Sequence, residues 1–220
     1  QPIRAGTMSK RPLQIVILAA GKGTRMKSAR PKVLHAVAGR SMLGHVIALA
    51  ESAGADRLSV VVGPGQEAVR AEAVRRAPRA EVFVQAEQIG TADAVKAARP
   101  ALQGFVGDVI VLFADTPLFR SETIAAVQAA LAKGAHVAVV GFHAADPTGY
   151  GRLARGSEGQ LDDIVEHKDA TGEQRRITLC NAGVMGFRSE HLPAILDAIG
   201  NDNANREYYL TDAVAIARLK

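Results

Sequence analysis

A glycine-rich turn carrying two basic residues follows the first apolar run of the chain. Residues 18–27 read LAAGKGTRMK, which places Lys22 and Arg25 beside Gly21 and Gly23. Glycine lets a backbone bend sharply and brings its N–H groups close to phosphate oxygens, and neighbouring cations attract the negative charge. The spacing fits neither the P-loop nor the dinucleotide-binding fingerprint. The segment predicts a phosphate-binding turn, and a plain tight turn is the alternative that spacing alone leaves open.

Two charged residues further along are suited to act on bound phosphates. Lys32 follows the glycine-rich turn closely enough to reach an α-phosphate, although most lysines are simply solvated. Asp115 follows the apolar run 109–113, so we expect it at the carboxyl end of a strand, where open α/β sheets bind ligands. A carboxylate there suits Mg²⁺, which prefers hard oxygen ligands. An aspartate that merely begins a turn before Thr116 and Pro117 is the competing interpretation.

Apolar runs that alternate with helix-prone segments indicate the elements that position these residues. The runs are rich in β-branched residues, which is typical of strands buried on both faces. We expect strands at 13–20, 58–62, 82–84, 109–113 and 137–140. Helices with capping residues or stop signals are expected at 41–53, 66–76, 91–99 and 121–133. This alternation predicts βαβ units and an α/β fold of Rossmann-like type, with a mostly parallel sheet flanked by helices.

The last third of the chain departs from this alternation, because its strands are joined by shorter connections. Three strands and then two helices are expected there, at 151–153, 160–166, 178–187, 189–199 and 211–219. We therefore predict a mixed or antiparallel addition to the main sheet. Residues 8–220 are predicted to form one domain, and residues 1–7 are interpreted as an expression-tag remnant.

Composition limits the classes of partner. The net charge of +5 and the pI of about 9.6 favour anionic ligands, but the basic residues are scattered and aromatic residues make up only 4%. Small phosphorylated ligands are therefore expected rather than nucleic acid. The apolar run 15–20 is too short to span a membrane, so no membrane partner is expected. A single cysteine, Cys180, permits no internal disulfide, which suits the cytoplasm.

Seven short segments carry a resemblance to a known family. They read LAAGKGTRM, PKVLHAVAGRSML, QAEQIGT, DPTGYGR, IVEHKDA, NAG and EYYLTD, beginning at residues 18, 31, 85, 146, 164, 181 and 207. In this order they resemble the sugar nucleotidyltransferase superfamily, and His35 in PKVLH points to its bacterial N-acetylglucosamine-1-phosphate uridyltransferase branch. The resemblance implies the nucleotide-diphospho-sugar transferase fold. It also implies transfer of UMP from UTP to N-acetylglucosamine-1-phosphate, with Mg²⁺ as cofactor.

The resemblance also implies roles for individual residues. The catalytic cations would be Arg25 and Lys32, and the metal ligand would be Asp115. Residues expected to hold the nucleotide are Leu18, Ala19, Ala20, Gly21, Lys32, Gln85, Gly90 and Thr91. Residues expected to hold the sugar are Phe113, Ala114, Gly151, Glu166 and Asn181.

Three positions depart from the family pattern. Phe113 and Ala114 stand where the family usually has Tyr and Gly, and Asp93 stands where it often has His. These changes leave open a sister enzyme that uses dTTP or CTP, or another sugar. A non-catalytic nucleotide-sugar sensing module is the alternative of a different class, which retention of Arg25 and Lys32 disfavours.

The family pattern extends beyond this sequence. Its second metal ligand, an Asn, would be expected beyond Lys220, and no hexapeptide repeats of its β-helix acetyltransferase domain occur here. We therefore expect no acetyltransferase activity. The full-length family protein is expected to be trimeric through that domain, and this chain to be a monomer or a weak oligomer.

Overall fold

The first apolar run forms the central strand of the molecule. The computed structural model describes residues 11–21, 23, 26 and 28–219, and strand β1 spans Leu13–Leu18 within it. All six residues of β1 are buried. Ile15 and Ile17 pack into one apolar core and Val16 and Leu18 into another on the opposite face. Successive side chains of a strand point to opposite faces, so helices on both faces require this continuous apolar run.

Four parallel strands form one half of the sheet. Beside β1 lie β4 (Arg57–Val62), β5 (Glu81–Val84) and β6 (Asp108–Phe113), in the order β5-β4-β1-β6. All neighbouring pairs in this half are parallel, which confirms the predicted βαβ arrangement. The helices that connect these strands or follow them are α1 (Met42–Ser52), α2 (Glu67–Arg76), α3 (Thr91–Ala97), α4 (Arg99–Leu102) and α5 (Ser121–Ala132).

The predicted end of the third helix at Pro100 was wrong. α3 ends at Ala97, and α4 begins at Arg99 with the proline in its first turn. A proline is well tolerated in a first turn because its missing N–H would have no intrahelical partner there. Pro100 therefore lies inside a second short helix.

The last third adds antiparallel strands, as predicted. These strands and the two later helices are β7 (Val137–His143), β8 (Arg152–Arg155), β9 (Leu161–Val165), β10 (Leu179–Arg188), α6 (Leu192–Ala198) and α7 (Ala213–Arg218). β10 is antiparallel to both β6 and β7. One prediction needs correction, because the run 137–140 does not pair with the parallel strands. β10 lies between β6 and β7 and takes the position that a fifth parallel strand would have.

A small hairpin after the glycine-rich turn was not predicted. Its strands, β2 (Ala36–Val37) and β3 (Arg40–Ser41), have two residues each, too few for a visible periodicity. A single 3-10 turn precedes β2 and contains Lys32 together with the buried Val33. The hairpin ends at Ser41, whose Oγ caps α1 by accepting from the Gly44 N–H at 3.0 Å.

Helices pack against both faces of the sheet and form an apolar core with each face. α1, α2 and α5 contribute to one core, and α3, α6 and α7 contribute to the other. Within the described residues, no helix is long and apolar enough to cross a membrane. A cavity opens at the carboxyl edge of the sheet beside Gly21 and Gly23, and several of the candidate residues line it.

Candidate functional site

A cavity of about 430 Å³ opens at the carboxyl ends of β1 and β6. This volume lies within the usual range for small-molecule sites. All eight residues predicted to hold a nucleotide line it, and Phe113 and Asp115 do so as well. Among the described residues, Gly23 of the predicted phosphate-binding turn lines it too, and so do four residues to which the sequence assigned no individual role, Val33, Gln88, Ala94 and Glu207. The structure therefore brings together segments that lie far apart in the sequence.

Lys32 and Asp115 meet at one end of the cavity. The Lys32 Nζ lies 2.6 Å from Asp115 Oδ2, and both side chains are about one-third exposed. Gly23 holds this end compact, because its φ is +59° and a Cβ there would lie 2.8 Å from the Lys32 Cβ. Arg25, the other predicted catalytic cation, lies outside the described residues. This end thus carries a paired cation and carboxylate that are accessible to an incoming phosphate.

The donor set around Asp115 suits a metal held largely by its substrate. No group of three His, Cys, Asp or Glu side chains suited to a metal occurs among the described residues. Mg²⁺ commonly binds one or two protein carboxylates and completes its octahedron with phosphates and waters. A single carboxylate that is about one-third exposed and lines the cavity fits that pattern.

Gln85 lies at the opposite end of the cavity and is almost fully buried. Its Nε2 donates to the Gly90 carbonyl at 3.0 Å and to Asp93 Oδ2 at 2.8 Å. Gln88 Nε2 donates to the carbonyl of Ala20, which fixes the wall between this end and the glycine-rich turn. The Asp93 carboxylate is thus directed at Gln85 and belongs to the layer behind the cavity wall.

The segment that contains Tyr208 is hydrogen-bonded to the loop around Gly90. The Tyr208 N–H donates to Ile89 O at 2.8 Å, and the Ala92 N–H donates to Tyr208 O at 2.9 Å. Leu210 N–H donates to the Thr91 hydroxyl at 2.8 Å. A Cβ on Gly90 would lie 2.4 Å from Tyr208 O, and the φ of Gly90 is +132°. This contact therefore requires glycine.

Three of the residues predicted to hold the sugar, Gly151, Glu166 and Asn181, form a second, adjoining group, termed the sugar group. The Asn181 N–H donates to Gly151 O at 2.8 Å, and a Cβ on Gly151 would lie 3.2 Å from Glu166 Oε1. Thr211 donates to Glu166 Oε1 at 3.1 Å. A Cβ on Gly183 would lie 3.1 Å from the Phe113 ring, so Phe113 connects this group to the cavity.

Ala114 differs from the other predicted sugar-binding residues. It is fully buried in the core, and its N–H donates to the Leu18 carbonyl at 3.0 Å. Its side chain therefore contacts the core and reaches neither the cavity nor the sugar group.

Burial controls the electrostatics of the sugar group. It raises the pKa of Glu166, while the hydrogen bond from Thr211 acts in the opposite direction. Arg152, only 1% exposed, lies close by and donates to the Tyr150 carbonyl and to His167 Nδ1. Its Nε has no hydrogen-bond partner among the described residues. A buried guanidinium with no directly paired carboxylate favours negative charge nearby. The charge of Arg152 therefore opposes the rise that burial causes in the pKa of Glu166, and the pKa remains raised overall.

Three kinds of comparison relate the chain to known proteins. A family model described as "MobA-like NTP transferase domain" matches residues 15–206. Proteins named "Bifunctional protein GlmU" from Azorhizobium caulinodans and Xanthobacter autotrophicus are 58% and 56% identical over 211 residues. Each alignment covers 96% of this chain and 47% of the relative, so the chain spans about half the length of these curated relatives.

A solved structure shares the fold at low sequence identity. UDP-glucose pyrophosphorylase complexed with UDP-glucose superposes with a TM-score of 0.76 and is 18% identical. The superposition covers 95% of this chain and 88% of that one. It confirms the predicted fold of α/β type with a mostly parallel central sheet flanked by helices.

Proposed function

Because this chain belongs to the MobA-like NTP transferase domain family, we propose that it transfers UMP from UTP to N-acetylglucosamine-1-phosphate. The products would be UDP-N-acetylglucosamine and pyrophosphate. The observation that carries the proposal is a cavity that contains a paired cation and carboxylate and that adjoins a second group of polar residues. Gln85 and Gly90 lie at one end of the cavity, Lys32 and Asp115 lie at the other, and the sugar group adjoins Phe113.

The proposed chemistry is an in-line displacement at the α-phosphorus of UTP. A phosphate oxygen of the sugar phosphate forms the new bond as the bond to pyrophosphate breaks, and no covalent enzyme intermediate is required. Both reactants are anions, so positioning and charge neutralisation supply most of the catalysis. Lys32 is suited to neutralise the α-phosphate because its Nζ already lies at the accessible end of the cavity that contains Asp115.

Asp115 is the residue that would hold a divalent cation at this end. Mg²⁺ bound there would neutralise phosphate charge and orient the leaving group. The Lys32 Nζ donates a hydrogen bond to Asp115 Oδ2. When substrates bind, the lysine must therefore exchange that carboxylate for a phosphate oxygen. Arg25 is proposed as a second catalytic cation, from the sequence pattern alone.

The sugar group supplies one acceptor and one donor for an acetamido sugar. Glu166 can accept from sugar hydroxyls, and the Asn181 carboxamide has an amide nitrogen that can donate to an acetamido oxygen. The Asn181 Oδ1 accepts from the Gly183 N–H at 2.9 Å, which leaves the Asn181 Nδ2 as the donor for a ligand. Gly151 lies beside both residues, where an added side chain would contact Glu166.

The substrates of this proposal are two small molecules, and it includes no nucleic acid or membrane partner. UTP is a cytoplasmic metabolite, so the cytoplasm is the proposed location. The oligomeric state plays no part in the proposed chemistry, because every proposed contact is made within one chain.

Pyrophosphate release tests the proposal. UTP, dTTP and CTP are each paired with N-acetylglucosamine-1-phosphate or glucose-1-phosphate, with and without Mg²⁺. We expect release only with UTP and the acetamido sugar, and only with Mg²⁺. Release confined to another pair would assign a sister specificity, and binding of UTP without any release would favour a sensing module.

A further inference from the structure

We infer that Asp93 is a positioning residue that selects the base of the nucleotide by fixing the orientation of the Gln85 carboxamide. This inference rests on the proposed nucleotide end of the cavity and adds to it a determinant of specificity. The observation behind it is the 2.8 Å hydrogen bond from Gln85 Nε2 to Asp93 Oδ2.

The Gln85 carboxamide uses its donors within the protein and leaves its acceptor for a ligand. A carboxamide nitrogen has two hydrogens, and the Nε2 of Gln85 uses them on the Gly90 carbonyl and on Asp93. The Gln85 Oε1 accepts no hydrogen bond from the described part of the chain. It is also absent from the fully buried side-chain atoms that lack a partner, so this oxygen is accessible. Gln85 therefore presents only an acceptor to the cavity that it lines.

Reversal of this amide is disfavoured by two contacts. Rotation by 180° would place Oε1 against the Gly90 carbonyl and against the Asp93 carboxylate, and both of these are acceptors. An unmade hydrogen bond at a buried site is destabilising, and more so when a charged group is involved. Asp93 supplies the charged contact, so it contributes the larger share of the orientation.

The neighbouring backbone completes an ordered pair of groups. Gly90 lines the cavity, and its N–H has no acceptor among the described residues. Together, Gln85 Oε1 and the Gly90 N–H offer one acceptor beside one donor. Uracil and thymine match this pair, because their N3–H can donate to the Gln85 Oε1 while an adjacent ring carbonyl accepts from the Gly90 N–H. Cytosine has a bare N3 at the same place, so it must shift along the ring edge to find a donor for Oε1.

Asp93 lies in the first turn of α3 and accepts a hydrogen bond from the side-chain nitrogen of Gln85. Because it binds the far side of the amide, it does not need to touch the nucleotide itself. Its effect should therefore be on base selection and KM, with little effect on the chemical step.

The test compares UTP, dTTP and CTP with the wild-type protein, Asp93→Ala and Asp93→Asn. We expect Asp93→Ala to raise the KM for UTP about tenfold, as for roughly 1.4 kcal/mol of lost binding free energy, and to lower UTP-over-CTP selectivity by a similar factor. The kcat should change less than about threefold, because the reacting phosphates are proposed to lie beside Lys32 and Asp115, away from the base. Asp93→Asn keeps an acceptor for Gln85, so it should retain most of the selectivity.

Two further measurements separate positioning from a general structural effect. In a Gln85→Ala background, Asp93→Ala should cause no additional loss of selectivity, because its route of action is already absent. Glu122→Ala removes an exposed first-turn carboxylate from α5 and should change neither KM nor selectivity. The ratio of UTP to dTTP should stay constant in Asp93→Ala, since both bases carry the same N3–H.

The outcomes distinguish this inference from the proposed function. If the wild type prefers UTP over CTP and Asp93→Ala keeps that preference within about twofold, the positioning role is overturned and the proposed function stands. An equal loss in the Gln85→Ala background would also overturn it. A wild-type protein that binds no UTP would overturn the proposed function, and the inference with it.

Discussion

At the residue scale, the pairing of Lys32 with Asp115 is the most informative contact in the molecule. Two groups proposed for separate roles neutralise each other at 2.6 Å across 83 positions of sequence. Both side chains are about one-third exposed, so the pair adds little to folding stability, typically below about 1 kcal/mol. Its value is therefore expected to be functional, because it keeps a cation and a metal ligand at one accessible point.

Replacement of Lys32 by Met should separate activity from stability. We expect kcat/KM for pyrophosphate release to fall about 10²–10³-fold, the usual cost of removing one group that stabilises developing charge. The melting temperature should change by no more than a few degrees. Lys133→Met, at an exposed position after α5, is the matched control and should change neither quantity. Full activity in Lys32→Met would remove the lysine from the mechanism.

At the element scale, the nucleotide end depends on a loop and a segment that meet from opposite parts of the chain. Thr91 and Leu210 are separated by 119 positions, yet they are joined by a hydrogen bond of 2.8 Å. Gly90 permits this approach because it has no side chain and adopts a positive φ. Removal of that freedom should displace the segment around Tyr208.

Gly90→Ala tests this arrangement against a glycine that carries backbone strain alone. Gly134 also has a positive φ, +103°, but a Cβ there would meet nothing within 4 Å. Strain of this kind costs about 1–3 kcal/mol at either site, and the contact with Tyr208 should add to it at Gly90. Urea unfolding should show the larger loss in Gly90→Ala, accompanied by weaker UTP binding. If Gly90→Ala and Gly134→Ala lost the same free energy of unfolding, the contact with Tyr208 would contribute nothing to stability.

Local sequence patterns predicted where the strands lie in the chain better than they predicted which strands pair in the sheet. The strands around 13–18 and 108–113 were predictable because both are continuous apolar runs bounded by turn residues. The insertion of β10 between β6 and β7 was not predictable, because pairing between distant strands leaves no local signal. The bond from Gln85 to Asp93 was also missed, because it depends on how the turn at Gly90 folds back.

At the scale of the whole molecule, the candidate site follows the change of strand direction in the sheet. The residues proposed to hold the nucleotide lie at the parallel strands β1 and β5, and those proposed to hold the sugar lie at the antiparallel strands β8, β9 and β10. β6 and Phe113 lie at the junction. Ligands of open α/β sheets bind outside the carboxyl ends of strands where the order reverses, and the present site agrees with that rule.

A carboxyl group near Glu166 has a strongly raised pKa. Burial is the largest cause, and together with the nearby Asp163, Glu166 and Asp169 it raises the pKa of Asp212 to about 6. A folded pKa above the unfolded value means that protonation stabilises the fold. This contribution is fully present below about pH 4 and is lost as the pH rises through about 6.

Asp212→Asn should therefore stabilise the protein at neutral pH. We expect a gain of roughly 1–2 kcal/mol in unfolding free energy at pH 7.5, after allowance for its partial exposure, and no gain near pH 4. Thermal unfolding across this range measures the difference. Asp202→Asn, at an exposed loop position, should show no such pH-dependent gain. A gain in Asp212→Asn that is independent of pH would contradict the assignment of this titration.

The proposed function requires the molecule to hold both halves of a nucleotide sugar at once. A crystal structure of the complex with UDP-N-acetylglucosamine tests this most directly. We expect uracil beside Gln85 and Gly90, the diphosphate beside Lys32, and the acetamido sugar between Glu166 and Asn181. A complex in which the base lies away from Gln85, or the sugar lies away from Glu166 and Asn181, would contradict it.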